Sequence, residues 1–245
     1  MESLQIQDRE TLNIRRSNNT REKILEAASE LFLEKGFQAT SIEDILEKVD
    51  IAKGTFYHHF VSKESLLESV TDSLSQAAHR EILSRLENSD FTDPLSRLNA
   101  LFRISLEWRE ENLESMIHLV RALCKETNAF FKYALRKKNR ELSHPVFAKI
   151  FQDGKQEGLF DIDDPSIASE IVLIILDGLS EQLEADLFSP VRREINLAGM
   201  IQFYETSIER VLGLESGKIR LFNWNSYNSI KEKLAKYLPP STLTT

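Results

Sequence analysis

Apolar residues recur along this chain at the three- and four-residue spacing of amphipathic helices, and no stretch shows the two-residue alternation of a strand. The first apolar stripe ends just before Gly36, a residue suited to a left-handed helix end, and comprises Ile24, Leu25, Ala28, Leu31 and Phe32. Asn19 followed by Glu22 predicts a capping box at the start of this helix. Residues 1–17 show no stable periodicity, and we expect a disordered arm there.

The next segment predicts two short helices joined by a tight turn. One helix is expected to begin at Thr40, with Glu43 three residues later, and to bury Ile42, Ile45, Leu46 and Val49. After a turn at residues 50–52, a helix of about seven residues is expected from Lys53. Ser62 is placed to cap a longer helix that runs to about residue 87.

The remainder of the chain predicts only further helices. Residues 214–245 read as a tail with one amphipathic helix, and a break or kink is expected at Pro145. Three cap-plus-proline pairs mark helix starts, namely Asp93-Pro94, Asp164-Pro165 and Ser189-Pro190. The expected helices span approximately 94–110, 113–126, 129–157, 165–187 and 191–212. The predicted fold class is therefore all-α.

Composition narrows the class of protein without identifying it. The chain is 41% hydrophobic and 29% charged, as is ordinary for a globular protein, and its single cysteine excludes an internal disulfide or a multi-cysteine zinc site. The longest apolar run, residues 171–176, is far shorter than the ~20 residues of a membrane span. With no signal peptide visible, we expect a cytoplasmic protein that needs neither a membrane nor a cofactor.

The charge distribution is more informative than the net charge of −8. This acidic balance argues against a general nucleic-acid coat protein, but specific DNA binding depends on local charge. Between Ile51 and Lys63 the chain carries two lysines, two histidines and no acid. Arg15, Arg16 and Arg21 form a second basic cluster upstream. The positive charge is thus concentrated around the two short helices.

Two short helices joined by a tight turn form the layout that places a recognition helix in the major groove of DNA. Phe56 and Phe60 lie four residues apart and are expected to face inward. Gly54 removes a side chain where the backbone would approach DNA closely. The polar side chains that can face outward are Lys53, Thr55, Tyr57, His58 and Lys63.

Residues 20–67 resemble the DNA-binding domain of the TetR family of transcriptional regulators. The resemblance rests on an ordered series of residues: Leu31-Phe32, Gly36-Phe37, Ala39-Thr40, Ile45, Ala52 to Phe60, Ser62-Lys63-Glu64 and Leu66. It implies a three-helix helix-turn-helix domain, here residues 18–64, followed by a helical effector-binding and dimerisation domain, here residues 65–213.

The resemblance also implies a function. A dimer would bind a palindromic operator in double-stranded DNA, most often as a repressor, and a small, largely apolar effector would release it. Such a protein is not an enzyme. The competing interpretation is a helical enzyme or a ligand carrier, but no nucleophile–base pair, His-Glu metal motif or phosphate loop is present. The effector, the operator and the direction of regulation remain open.

Individual roles in DNA binding follow from the same resemblance. Thr40 would hold a phosphate at a helix N-terminus. Lys53, Gly54 and Thr55 would approach bases, with Lys53 reaching a guanine edge. The residues that would bind phosphates are Tyr57, His58 and Lys63, with His59 as a further candidate.

The chain departs from the family pattern at three positions. Leu46 stands where alanine is usual, Asp50 replaces a turn glycine, and Ala52 replaces a capping serine or threonine. Because aspartate tolerates the left-handed region, we expect the turn to survive. Loss of the hydroxyl cap at Ala52 removes one phosphate contact and costs about 1 kcal/mol of local stability.

Three other features have simpler interpretations. His58 and His59 point about 100° apart on a helix with no further ligand at metal spacing, so we expect no metal site. Residues 161–164, three of them aspartates, read as a solvated loop in which Asp164 caps a helix. Cys124 follows an apolar sequence and is predicted to be a buried, inert thiol.

The second half of the chain supplies candidates for the effector and dimer sites. Most of its aromatic residues are expected in the core, and some of them in an effector cavity. Candidate effector-binding residues are Phe102, Trp108, Met116, His118, Arg121, Cys124 and Phe130. An unusually apolar helix from Pro165 resembles the family's dimerisation helix, and the alternative is a helix at the centre of its own domain's core. Candidate dimerisation residues are Ile171, Ile175, Gly178, Leu179, Leu183, Met200 and Tyr204.

Overall fold

The computed structural model describes residues 2–188, 196–222 and 233. Within these ranges the chain forms α-helices, one 3₁₀ turn at Glu126–Asn128 and no strand, so the predicted all-α class is confirmed. None of the described helices is long and apolar enough to cross a lipid bilayer. In chain order, the helices are α1 (Glu2–Lys35), α2 (Ile42–Val49), α3 (Lys53–His59), α4 (Lys63–Glu87), α5 (Pro94–Glu111), α6 (Leu113–Leu123), α7 (Ala129–Gln156), α8 (Pro165–Phe188) and α9 (Leu197–Val211).

Helix α1 differs most from the sequence-based expectation. It is continuous from Glu2 to Lys35, so the predicted disordered arm over residues 1–17 and the helix start at Asn19 are wrong. The reason lies in the residue types, because this stretch contains neither glycine nor proline and is rich in Glu, Arg, Leu and Gln. The predicted stop is confirmed, since Gly36 has a φ of 95°.

Other boundaries also shift. Helix α7 runs through Pro145 without a break and ends before Gly158, which has a φ of 71°. Helix α9 begins after Asn196, whose side chain accepts a hydrogen bond from the N–H of Gly199. The predicted helix start at Val191, its Ser189-Pro190 cap and the amphipathic tail helix lie outside the described residues.

The chain divides into two compact units. The first comprises residues 1–74 and 125–135, and the second comprises residues 75–124 and 136–245. Instead of falling at the predicted 64/65 boundary, the division falls inside α4, and a segment from the middle of the chain joins the first unit. The core of the first unit is formed by Ile24, Ala28, Phe32, Ile45, Phe56, Leu66 and Phe131, all of them fully buried.

The second unit has its own hydrophobic core, built from α5, α7, α8, α9 and the end of α4. Phe151 packs edge-on against both Phe147 and Phe160. After α9 the described chain continues without regular secondary structure to residue 222, and Ile219 and Leu221 are buried there. Their N–H groups donate to the carboxylates of Glu209 and Glu205, at 2.9 and 2.8 Å respectively. Burial is the main cause that raises the pKa of Glu205.

Candidate DNA-binding surface

Helix α2 is fixed at both ends by local hydrogen bonds. Ser41 and Asp44 form a reciprocal capping box, in which the N–H of Asp44 donates to the Ser41 hydroxyl and the N–H of Ser41 donates to the Asp44 carboxylate. The capping pair is thus displaced by one residue from the predicted Thr40 and Glu43. At the other end Asp50 adopts the left-handed conformation (φ 56°, ψ 57°), which confirms that the turn survives without glycine.

Helix α3 separates inward and outward side chains as the sequence predicts. Phe56 is fully buried and Phe60 is 4% exposed, with ring centroids 5.9 Å apart. The side chains of Lys53, Tyr57 and His58 are exposed, whereas those of Thr55 and His59 are half-buried. Ala52 precedes the helix without a side-chain cap, as expected. The buried rings fix the rotation of α3, and this rotation points its polar face to solvent.

Gly54 lies on this outer face in open space. A Cβ atom added there would meet no heavy atom within 4 Å, and the φ of Gly54 is not positive. The fold of the free protein therefore does not require glycine at this position. A second reason for glycine is that the missing side chain lets a ligand come close to the backbone. This is the role that the sequence predicts for Gly54.

Lys53 is paired with an acid of the preceding helix. Its Nζ lies 3.3 Å from Oε1 of Glu43, and both side chains are largely exposed. The pKa of Glu43 is lowered, first by a hydrogen bond from its own backbone N–H and then by Lys53. This pair was not anticipated from the sequence, although Glu43 was read as a capping acid.

Thr40 does not have the environment expected of a phosphate ligand. It is 1% exposed, and its hydroxyl lies 2.8 Å from the carbonyl oxygen of Gly36 and 3.2 Å from that of Leu31. The side chain therefore stabilises the connection between α1 and α2. Ser41, at the exposed helix N-terminus, occupies the place that Thr40 was predicted to take.

Lys63 likewise has a structural environment. Its ammonium donates to the carbonyl oxygens of Phe37 at 2.9 Å and Thr40 at 2.8 Å. It also lies 4.5 Å from the centroid of the Phe37 ring, within the range of a cation–π interaction. These contacts tie the start of α4 to the α1–α2 connection. To bind a phosphate as predicted, the ammonium of Lys63 would have to give up some of these contacts.

The two histidines of α3 differ in environment. Their rings lie 5.1 Å apart, and His58 is exposed whereas His59 is half-buried. Burial, followed by the nearby charges of His58 and Arg21, lowers the pKa of His59. The lowered pKa favours the neutral imidazole, which weakens the case for His59 as a cationic phosphate contact. Among the described residues, no three His, Cys, Asp or Glu side chains are grouped to hold a metal ion.

The segment 125–135 packs against the α1–α2 connection. Asn128 is fully buried, and its Oδ1 accepts a hydrogen bond from the N–H of Phe37. Phe131 meets Phe32 edge-on at 6.0 Å, and Phe130 stacks on Phe37 at 5.3 Å. Phe130, predicted to bind an effector, thus belongs to the first unit. No local sequence signal indicates contacts between residues so far apart.

The other effector candidates lie in the second unit. Phe102 is 8% exposed and packs against Phe147, so its prediction as core residue fits better than a cavity role. The indole N–H of Trp108 donates to the carboxylate of Glu81 at 2.8 Å. Met116 is half-buried, and the three polar candidates of the α6 region, His118, Arg121 and Cys124, are exposed.

The environment of Cys124 corrects a specific expectation. Its side chain is exposed, so the prediction of a buried thiol is wrong. Cys124 is the C-cap of α6, and the apolar face of this helix is carried by Ile117 and Leu123. The residue therefore follows an apolar stripe in sequence without lying on it.

The dimerisation candidates fall on two sides of α8 and α9. Leu179 is 5% exposed and lies in the chain's own core, while Ile175, Leu183, Met200 and Tyr204 pack partly against it. Gly178 lies beside Tyr204 of the same chain. Ile171 is 42% exposed, and three further exposed apolar residues, Ile167, Ile174 and Phe203, are not among the candidate dimerisation residues.

Comparison with known proteins shows what the surface described above is similar to. The family model described as bacterial regulatory proteins, tetR family, matches residues 24–70, which include α2 and α3. The HTH-type transcriptional repressor KstR2 of Mycobacterium tuberculosis is 29% identical over 150 residues, 60% of this chain and 72% of KstR2. The HTH-type transcriptional regulator UidR of Escherichia coli is 27% identical over 176 residues, 68% of this chain and 83% of UidR.

The fold has counterparts among solved structures. A crystal structure of RolR in complex with the ligand resorcinol matches 92% of this chain and 98% of RolR, with a TM-score of 0.53 and 19% sequence identity. At this level of identity the match supports the fold alone. The helical second unit, which the family model does not cover, therefore has a structural precedent.

Proposed function

We propose that this chain is a TetR-type repressor that a small effector releases from a palindromic operator. The proposal is supported by the match of residues 24–70 to the family model and by the similarity to KstR2. Its relatives are DNA-binding regulators and not enzymes. A repressor is the specific form that we propose, because KstR2 is named as one. The site of action would be the cytoplasm, where the DNA of a bacterium is found.

The outer face of α3 is the observation that carries the proposal. Lys53, Tyr57 and His58 are exposed there, and Gly54 leaves the backbone open. A rigid helix that presents donors and no acid of its own suits the acceptor-rich guanine edge and the phosphate backbone. In our proposal α3 enters the major groove, and Lys53 is the residue that reaches a guanine.

Dimerisation is supported by the exposed apolar side chains of α8 and α9. Ile167, Ile171 and Ile174 follow each other at helical spacing and are 57%, 42% and 53% exposed, and Phe203 on α9 is 69% exposed. Such a stripe is unfavourable in water, and the same stripe from a second copy would cover it around a two-fold axis. Two recognition helices would then read half-sites about 34 Å apart or slightly more.

Release by an effector is the third element of the proposal. RolR binds resorcinol, and we propose for this chain a small, largely apolar molecule bound within the second unit. Met116 and Trp108, with His118 and Arg121 as polar partners, remain the candidate contacts. An effector that binds more tightly to a conformer unable to fit the operator would release DNA by that difference in affinity.

Selection of random duplexes by the purified protein, read by sequencing at moderate salt, tests this function. We expect an inverted repeat whose half-sites lie about one helical turn apart. The apparent affinity for the recovered site should fall steeply with salt, because phosphate contacts release counterions. Failure of the folded protein to enrich any sequence, with or without extracts of small metabolites, would contradict the proposal.

A further inference from the structure

Glu43 brings a negative charge to a surface that otherwise carries donors. The chain has no acid between residues 51 and 63, yet Glu43 of α2 places a carboxylate oxygen 3.3 Å from the ammonium of Lys53, the first residue of α3. The side chain of Glu43 is 69% exposed and that of Lys53 is 62% exposed. The acid therefore lies beside the position from which the recognition helix would contact bases.

Neither folding nor general DNA affinity explains an acid at this position. Exposed ion pairs contribute little to stability. The N-terminus of α2 is capped by Ser41 and Asp44, and Glu43 adds there only a contact with its own exposed backbone N–H. Close to phosphates, a carboxylate weakens binding to every sequence alike. Glu43 would offset this cost only where the DNA presents a hydrogen-bond donor to it.

The major-groove edge of a G·C pair presents such a donor next to two acceptors. Guanine offers the acceptors N7 and O6, and the adjacent cytosine offers its N4 amino group. An ammonium group can only donate and an ionised carboxylate can only accept. The side-by-side pair of Lys53 and Glu43 therefore matches the acceptor–donor order of a single G·C pair.

We infer that Glu43 is a specificity-determining residue that reads a G·C pair together with Lys53. Lys53 donates to the guanine, and the Glu43 carboxylate accepts from the cytosine amino group. An exposed carboxyl is ionised at neutral pH, and the pKa of Glu43 is lowered further, so the side chain can only accept hydrogen bonds. The inference rests on the proposed function, since it concerns operator DNA.

The test compares selections from random duplexes by the wild-type protein, Glu43→Gln and Glu47→Gln. Glu47 is an exposed acid one turn further along α2, and its substitution removes the same charge. For Glu43→Gln, we expect adenine to replace cytosine at one position of each half-site, because an amide pairs with the N6 and N7 edge of adenine. Glu47→Gln should retain the wild-type motif.

Titration of two operator duplexes that differ only at this base pair measures how strongly each protein prefers cytosine there. Exchange of the cytosine for adenine should cost the wild-type protein and Glu47→Gln about tenfold in affinity. The same exchange should cost Glu43→Gln nothing or should favour it. Thermal unfolding should be the same for all three proteins, because both glutamates are exposed.

Two results would overturn the inference, and they are distinguishable. If Glu43→Gln selects the wild-type motif with the same preference for cytosine, the acid does not read bases, while the proposed function stands. If the folded wild-type protein selects no motif at all, the proposed function fails and the inference fails with it.

Discussion

The side-chain oxygen of Asn128 accepts a hydrogen bond of 3.2 Å from the backbone N–H of Phe37, although the two residues are 91 positions apart in sequence. Asn128 is fully buried. The bond holds the connection between α1 and α2 against a segment that links α6 to α7. A buried N–H without a partner is costly, so this contact supports the position of the helices that would read DNA.

Substitution Asn128→Ala should therefore destabilise the protein. We expect the free energy of unfolding to fall by roughly 1–3 kcal/mol, since the N–H of Phe37 loses its acceptor. Urea unfolding followed by circular dichroism measures the change. Glu126→Ala, at an exposed neighbouring position, is the matched control and should be nearly neutral. Equal effects of the two substitutions would show that the hydrogen bond contributes nothing.

Substitution Gly54→Ala should separate folding from DNA binding. Because an added Cβ meets no atom of the protein, we expect stability to be unchanged or to rise by about 0.5 kcal/mol from the better helix propensity of alanine. Operator affinity should fall because the methyl group obstructs close approach of DNA. Thermal unfolding and operator titration provide the two readouts. Undiminished affinity would mean that DNA does not approach this side of α3.

Lys53 and Lys63 should respond differently to the same substitution. Lys63→Met removes both hydrogen bonds to the carbonyl oxygens of Phe37 and Thr40, and we expect a loss of roughly 1–3 kcal/mol of stability. Lys53→Met should leave the unfolding temperature unchanged and cost about 1–3 kcal/mol of operator affinity with relaxed specificity. Chemical unfolding and titration of operator and random duplexes distinguish the two.

A different result would contradict the prediction for each lysine. If Lys63→Met unfolds like the wild-type protein but binds every duplex more weakly, with a smaller dependence on salt, then Lys63 binds phosphate after all. If Lys53→Met loses equal affinity for operator and random DNA, then Lys53 binds the backbone and does not read a base.

Local patterns in the sequence were sufficient to predict helix α3 and its inward face. The four-residue spacing of Phe56 and Phe60 is enough to predict which side of α3 faces inward. Asp50 was expected to adopt the turn conformation because aspartate tolerates the left-handed region. The capping site was misplaced by one residue because the sequence offers two hydroxyls, Thr40 and Ser41, followed by two acids at the same spacing. Only the burial of Thr40 distinguishes these alternatives.

Contacts between distant segments were not predictable. The partners of Lys63 lie 23 and 26 residues away, and that of Asn128 lies 91 residues away. No periodicity within a single helix encodes them. The exposure of Cys124 was missed for a related reason, because its apolar neighbours in sequence lie on a different face of α6. Sequence patterns thus predicted the exposed face of α3 better than the contacts that hold the neighbouring segments in place.

The stability of the first unit should depend on pH through His59. Burial lowers the folded-state pKa of His59 below 6.5, so the unfolded chain takes up a proton on this residue at a higher pH than the folded chain. The resulting stability is present above pH 6.5 and is lost as the pH falls towards the folded pKa. Replacement of His59 by Asn should flatten this decrease.

Urea unfolding between pH 7.5 and 5.5 measures this contribution. At pH 7.5 the imidazole is neutral in both states, so the difference between His59→Asn and wild type at that pH reports packing alone. The change in this difference at lower pH reports the protonation of His59. Parallel pH profiles for the two proteins would show that burial does not alter the proton affinity of His59.

The exposed stripe on α8 should determine the oligomeric state. Ile174→Asp places a charge at a position that is 53% exposed in the single chain, so the fold of each chain should tolerate it while a covered interface should not. We expect a monomer in sedimentation experiments, with loss of operator binding. Leu159→Asp, at a 38% exposed position outside α8 and α9, is the matched control and should remain dimeric. A dimer that persists in Ile174→Asp, with unchanged dissociation on dilution, would place the interface elsewhere on the chain.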